Sequence, residues 1–150
     1  MTKPNLDELE DFQIWKKANP DLDITGYVYH NLDASLAIGF SQLIWPELVT
    51  FRGGVFIADA FSPAVFDSWS SSLGGNLTEI ERAINHVHLC DLAYSFKMLG
   101  AENLEYLATV ISSCWRCRLK QAYPDHDFCV ETSAEADGID YTITFYHRTR

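Results

Sequence analysis

Cationic side chains are scarce in this chain: 11 Lys and Arg stand against 21 Asp and Glu, giving a formal charge of −10 over 150 residues. Binding to phosphate backbones draws on clustered cations that displace counterions, so nucleic acid is excluded as an expected partner. The local run Arg116, Arg118 and Lys120 reads as cations placed against the negative end of a helix dipole. Long apolar runs are also missing. No stretch approaches the roughly 18 residues that a membrane span requires. The N-terminal segment lacks the apolar core and small-residue cleavage site of a signal peptide, which makes a cytoplasmic protein the expectation. Cysteine is sparse as well, with four residues, too few to imply a disulfide scaffold in a reducing compartment. Catalytic signatures are equally lacking: there is no G-x-S-x-G elbow, and Arg52-Gly53-Gly54 and Gly74-Gly75 carry no phosphate-loop Lys and Ser or Thr.

What is present is a globular composition. Apolar residues make up 47% of the chain and aromatic residues 13%, which excludes a mainly disordered protein and suits one domain over residues 1–150. The acidity is distributed rather than gathered into a tail, and residues 1–50 hold eight acidic and three basic side chains.

Capping residues and apolar spacing predict helices over 6–18, 33–44, 62–73, 76–98 and 102–121. Short β-favouring runs at 48–51 and 55–58 flank Arg52-Gly53-Gly54, whose glycines can supply the positive φ of a tight turn. A second pair of strands is expected at 128–132 and 139–147, the latter alternating Ile139, Tyr141, Ile143 and Phe145 with polar residues, as a half-buried strand does. Tyr27-Val28-Tyr29 fits an additional edge strand. The expected fold class is therefore α+β, an antiparallel sheet of about four strands in two hairpins packed with about five helices.

Reactive side chains are densest between Glu81 and Asp91. On one continuous helix His86 and His88 would point about 160° apart and could not share an ion, whereas on a strand they would share a face. The capping box at Asn76 and the spacing of Ile80, Ala83, Ile84 and Val87 favour the helix, with Glu81, Asn85 and His88 along one stripe. This leaves His88, partnered by Glu81 or Asp91, as the candidate catalytic set of a metal-dependent or acid-base hydrolase. Cys114, Cys117, His126 and Cys129 have the residue types of a structural zinc site, although Cys114 falls on the apolar stripe of its helix and packs there as a small hydrophobe. No cofactor is otherwise implied.

Trp45, Trp69, Tyr27 and Tyr29 are the candidate binding residues, since Tyr and Trp are enriched at protein-binding hot spots. An acidic surface with aromatic anchors suits a basic protein partner. The leading expectation is a non-catalytic protein-binding module, and a structural or homo-oligomeric subunit is the third reading.

The segments Phe40 to Val49, Gly54 to Ile57 and Asn85 to Leu92 resemble an uncharacterised family of small bacterial cytosolic proteins. That resemblance implies a bacterial single-domain protein and assigns no activity. In size, acidity and lack of a catalytic motif the composition is also similar to immunity proteins that neutralise bacterial toxins, which implies an inhibitor acting through a preformed surface.

Overall fold

The computed structural model describes residues 3–135 and 140–148. Among these residues the chain forms seven α-helices and two antiparallel sheets, an α+β architecture. Helices α1 (Glu10–Ala18), α2 (Ile24–Asn31) and α3 (Ala34–Ile44) come first, followed by the hairpin of β1 (Leu48–Phe51) and β2 (Gly54–Ile57). Helices α4 (Pro63–Ser72) and α5 (Leu77–Ile84) lead to a two-residue strand β3 (Val87–His88) and a single turn α6 (Leu89–Leu92). The long α7 (Ala101–Ala122) precedes strands β4 (Phe128–Ala134) and β5 (Tyr141–His147). The strands divide into a β1-β2 sheet and a separate β3-β5-β4 sheet rather than one sheet of four. None of the helices among the described residues is long and apolar enough to cross a membrane.

Several helix starts follow from their caps. Asp33 accepts from the backbone N–H groups of Ser35 and Leu36, and Ser62 accepts from Val65 with Pro63 at the first helical position. Asp23 caps in the same way, accepting from Thr25 and Gly26, and this turns the expected edge strand at Tyr27 to Tyr29 into α2. The Asn5 cap closes only a 3-10 turn over Leu6–Glu8, so the first α-helix starts later than its sequence pattern suggests. In the β1-β2 turn the positive φ values fall on Arg52 (48°) and Gly53 (85°) rather than on the two glycines. Gly54 is required for another reason: a Cβ there would lie 2.7 Å from the Phe56 ring.

The largest departure is the expected helix over 76–98, which ends at Ile84 and gives way to β3, α6 and a 3-10 turn over Tyr94–Met98. The reason lies in Asn85. Its side chain accepts from the Ile57 N–H (3.0 Å) and donates to the carbonyls of Val55 (2.9 Å) and Phe145 (3.2 Å), bonds that tie the helix end to β2 and β5 at once. One turn earlier, Glu81 accepts from the Val55 N–H (2.8 Å) and the His147 N–H (2.8 Å). Because β3 pairs only with Thr142 and Ile143, it leaves Phe145 and His147 on that edge of β5 without strand partners. Two helix side chains thus supply the hydrogen bonds that a neighbouring strand would have given.

Helix α7 buries Leu104, Ala108, Ile111, Trp115 and Leu119 in a core shared with Val130, Ile143 and Phe145, as its stripe predicts. A second core gathers Phe56, Phe66, Ile80 and Ile84 between β2, α4 and α5. Strand β5 was expected to be half-buried, yet Thr142 to Tyr146 are all buried, because α7 packs on it and α5 packs on it as well. Thr144 satisfies its hydroxyl on the Arg82 carbonyl at 2.8 Å. Ile139 and most of the turn before it lie outside the described residues.

Candidate functional site

Helices α2 and α3 have no buried residue between them, although α3 reads Ala-Ser-Leu-Ala-Ile-Gly-Phe-Ser-Gln-Leu-Ile. An apolar helix with no polar face belongs inside a protein. Here Leu36 is 70% exposed and Ile38 65%, with Val28, Leu32 and Phe40 also open to solvent. The attachment of α3 is confined to its C-terminal end, where Leu43 accepts from Trp115 Nε1 (3.1 Å) and Ile44 packs against the main core. Helix α2 is held through aromatic contacts: the Tyr27 ring meets Phe12 (5.5 Å) and Trp15 (5.4 Å) edge-on.

The segment that forms this surface carries charge of one sign, although cations from elsewhere reach both its ends: Lys16 Nζ donates to the Pro20 carbonyl (2.8 Å) and Arg118 to the Pro46 carbonyl (3.2 Å). Between residues 21 and 47 the chain carries Asp21, Asp23, Asp33 and Glu47 and no Lys or Arg. Asp23 and Asp33 also serve as helix caps, accepting from the Thr25 and Ser35 N–H groups.

The candidate binding aromatics therefore fall in different settings. Tyr27 is turned into the α1-α2 contact, while Tyr29 is exposed beside His30. Trp45 ends α3, lies 5.9 Å from the Arg118 guanidinium, and forms part of the wall of a cavity of about 520 Å³ with Trp115, Leu92 and Arg118. Trp69 borders a different cavity, of about 370 Å³, together with Arg82 and His86. Leu36, Ile38 and Val28 were not singled out from the sequence. The signal available in the sequence was the absence of any charged residue within α3.

The candidate catalytic set is also rearranged. Glu81, fully buried, faces His147, whose Nδ1 lies 2.7 Å from Glu81 Oε1 and whose Nε2 lies 2.8 Å from His126 Nδ1. His88 turns to Asp140 instead, with Nδ1 2.9 Å from Oδ2, while Asp91 is exposed on α6. Asp140 is fixed from both sides, since its Oδ1 accepts from the N–H groups of Cys90 (3.1 Å) and Tyr141 (2.7 Å). Burial would raise the Asp140 carboxyl, but the bonds from Cys90, His88 and Tyr141 outweigh it and hold the group below the ordinary carboxylate range. Asp140 Oδ2 thus engages Nδ1 of His88 and leaves Nε2 as the ring nitrogen outside that contact.

The break of the long helix puts His86 and His88 on alternate positions at β3, and their rings come within 5.0 Å. Burial first, and His88 second, lower the His86 pKa, with Glu135 acting in the opposite direction. Among the described residues, the group of His, Cys, Asp and Glu side chains whose ligating atoms gather closely is His86, His88 and Glu135, all within 4.8 Å of one another. Cys114, Cys117, His126 and Cys129 do not form such a group. Cys114 and Cys117 remain on α7, His126 is engaged by His147, and the Cys129 thiol donates to Glu131.

Comparisons of the chain with protein-family models, curated proteins and solved structures return no match, so geometry alone carries the functional reading.

Proposed function

We propose that the protein is a non-catalytic binding module that docks a basic protein partner around α3, whose exposed Leu36 and Ile38 point about 160° apart so that the partner has to wrap the helix. The observation that carries this reading is α3 itself, an apolar helix with no buried residue. Large apolar side chains left exposed in number on one segment mark an interaction site. Residues 21–47 carry four acidic side chains and no Lys or Arg of their own, and that net negative charge selects among occupants. A second copy would bring acid against acid, and an anionic lipid surface would be repelled in the same way. A cationic protein gains long-range attraction from the rim and anchorage from Leu36, Ile38 and the Tyr29 ring. An immunity-type inhibitor that covers a basic toxin is the concrete form of this function.

The test is crosslinking from positions 36 and 38, identification of the adduct, and reconstitution of the complex from two purified proteins. The expected partner is basic, with affinity that falls about tenfold or more in Leu36→Asp and Ile38→Asp. Affinity should also fall as salt rises from about 50 to about 300 mM, where screening shortens the reach of the rim. A homodimer linked through these positions, partition onto anionic vesicles, or a reconstituted complex insensitive to both substitutions overturns the reading.

A further inference from the structure

We propose that His86, His88 and Glu135 form a binding site for a divalent transition metal of the zinc class, with Asp140 holding His88 in the ligating tautomer. The site lies where three segments converge. His88 ends the short strand β3 and His86 immediately precedes it, and their rings lie 5.0 Å apart. His88 pairs with Thr142 of β5, and Thr142 pairs with Ser133 of β4, two residues before Glu135. The Glu135 N–H then donates to the Asp140 carbonyl at 2.9 Å, closing the end of the β4-β5 hairpin beside β3. These pairings bring residues separated by about fifty positions within reach of one ion, with their ligating atoms inside 4.8 Å.

Two imidazoles and one carboxylate favour zinc and its neighbours over magnesium or calcium, which take all-oxygen sets. The second observation is independent of the three ligands. A ligating histidine almost always donates its other ring N–H to a carboxylate or carbonyl, and Asp140 Oδ2 occupies that position on His88 Nδ1 at 2.9 Å. Asp140 cannot swing away readily, since its other oxygen holds the N–H groups of Cys90 and Tyr141. With Nδ1 engaged by Asp140, Nε2 is the ring nitrogen of His88 that an ion would take. Three protein ligands leave a tetrahedral ion one position for water or an exogenous ligand.

Chelator-treated full-length protein titrated with Zn²⁺ against a chromophoric competitor, and with Co²⁺ followed by visible absorption, tests the assignment. The expected result is one equivalent bound, with cobalt bands that lack thiolate charge transfer. His86 and Glu135 are exposed, so His86→Ala and Glu135→Gln should leave unfolding midpoints unchanged while weakening Zn²⁺ about tenfold or more. Asp140→Asn, which touches no ion, should weaken it by about 10–100-fold, and Cys117→Ser and Cys129→Ser should leave it unchanged. Failure of the wild type to bind one equivalent overturns the site. So does wild-type affinity in both His86→Ala and Glu135→Gln, or loss of the ion in either cysteine variant.

Discussion

The surface of α2 and α3 and the seam around α5 invert each other's polarity. On α3 the chain leaves Leu36 and Ile38 in water, while on α5 and at its C-cap it buries Glu81 and Asn85 completely. Both arrangements run against the usual preference of these side chains. The difference lies in what each region has to satisfy. At the seam, β2 and the open edge of β5 present backbone groups that would be costly to bury unpaired, and Glu81 and Asn85 meet them with five hydrogen bonds, at Val55, Ile57, Phe145 and His147. On α3 the large apolar residues of the first two turns are left exposed by the rest of the chain. A buried polar residue here means an internal obligation met, and under the proposed function an exposed apolar one is left for a partner.

The greatest loss should follow from emptying the seam. Glu81→Ala leaves the N–H groups of Val55 and His147 and the His147 ring without their common acceptor, and the expected cost is about 3–5 kcal/mol of unfolding free energy in urea. Asn85→Ala should follow at about 2–3 kcal/mol, since it strands one donor and two carbonyls. Glu81→Gln should cost less than Glu81→Ala, because the amide oxygen still accepts one of the two backbone bonds. A loss below about 1 kcal/mol for both alanine variants would show that water replaces these side chains and that the seam is not a structural joint.

The helices with strong caps and clean periodicity were legible in the sequence: Asp33 marked the start of α3, Ser62-Pro63 that of α4, and the stripe from Leu104 to Leu119 marked the buried face of α7. The break after Ile84 was not legible. Local propensity allows the helix to continue, and the bonds that stop it join Asn85 to residues 28 to 60 positions away. Misplacing that one boundary carried the rest of the site with it. A continuous helix separates His86 from His88 and aligns Glu81 with His88, whereas the short strand brings the two histidines together and gives Glu81 to His147. Asp140 and Glu135, the acidic residues beside His88, come from the far hairpin and carried no sequence signal of their own. The composition of α3 was informative but ambiguous, since a helix lacking charge can face a core or a partner.

A smaller effect is expected at the edge of the seam. Tyr146 donates its hydroxyl to Glu131 and lies under the Arg82 guanidinium, 4.1 Å from the ring centre. The Glu131 bond first and burial second raise the phenol above its ordinary value near 10. A raised folded pKa contributes stability that is complete below about pH 10 and is lost as pH rises through the folded value. Tyr146→Phe should therefore cost about 1 kcal/mol at neutral pH, and its gap to wild type should narrow at strongly alkaline pH. Ultraviolet titration of the phenolates should find one tyrosine that ionises after the exposed ones and is missing from the variant. A gap that widens with pH would reverse the sign and remove Glu131 as the cause.

The smallest change in stability should come from the surface that looks most wrong in isolation. Leu36→Asn replaces a side chain that is 70% exposed and lies beyond the Leu43 anchor, so the isolated protein should unfold within about 0.5 kcal/mol of wild type. Solubility should improve in the same variant, because an exposed apolar group has been removed. The near-zero result is informative because of its contrast with Glu81→Ala. If Leu36→Asn instead cost more than about 1 kcal/mol, with a penalty that grew with protein concentration, α3 would already be covered by another copy of the chain, and the exposed face would be half of a dimer. If the penalty were independent of concentration, α3 would pack on its own protein in solution, and the contrast between the two regions would collapse.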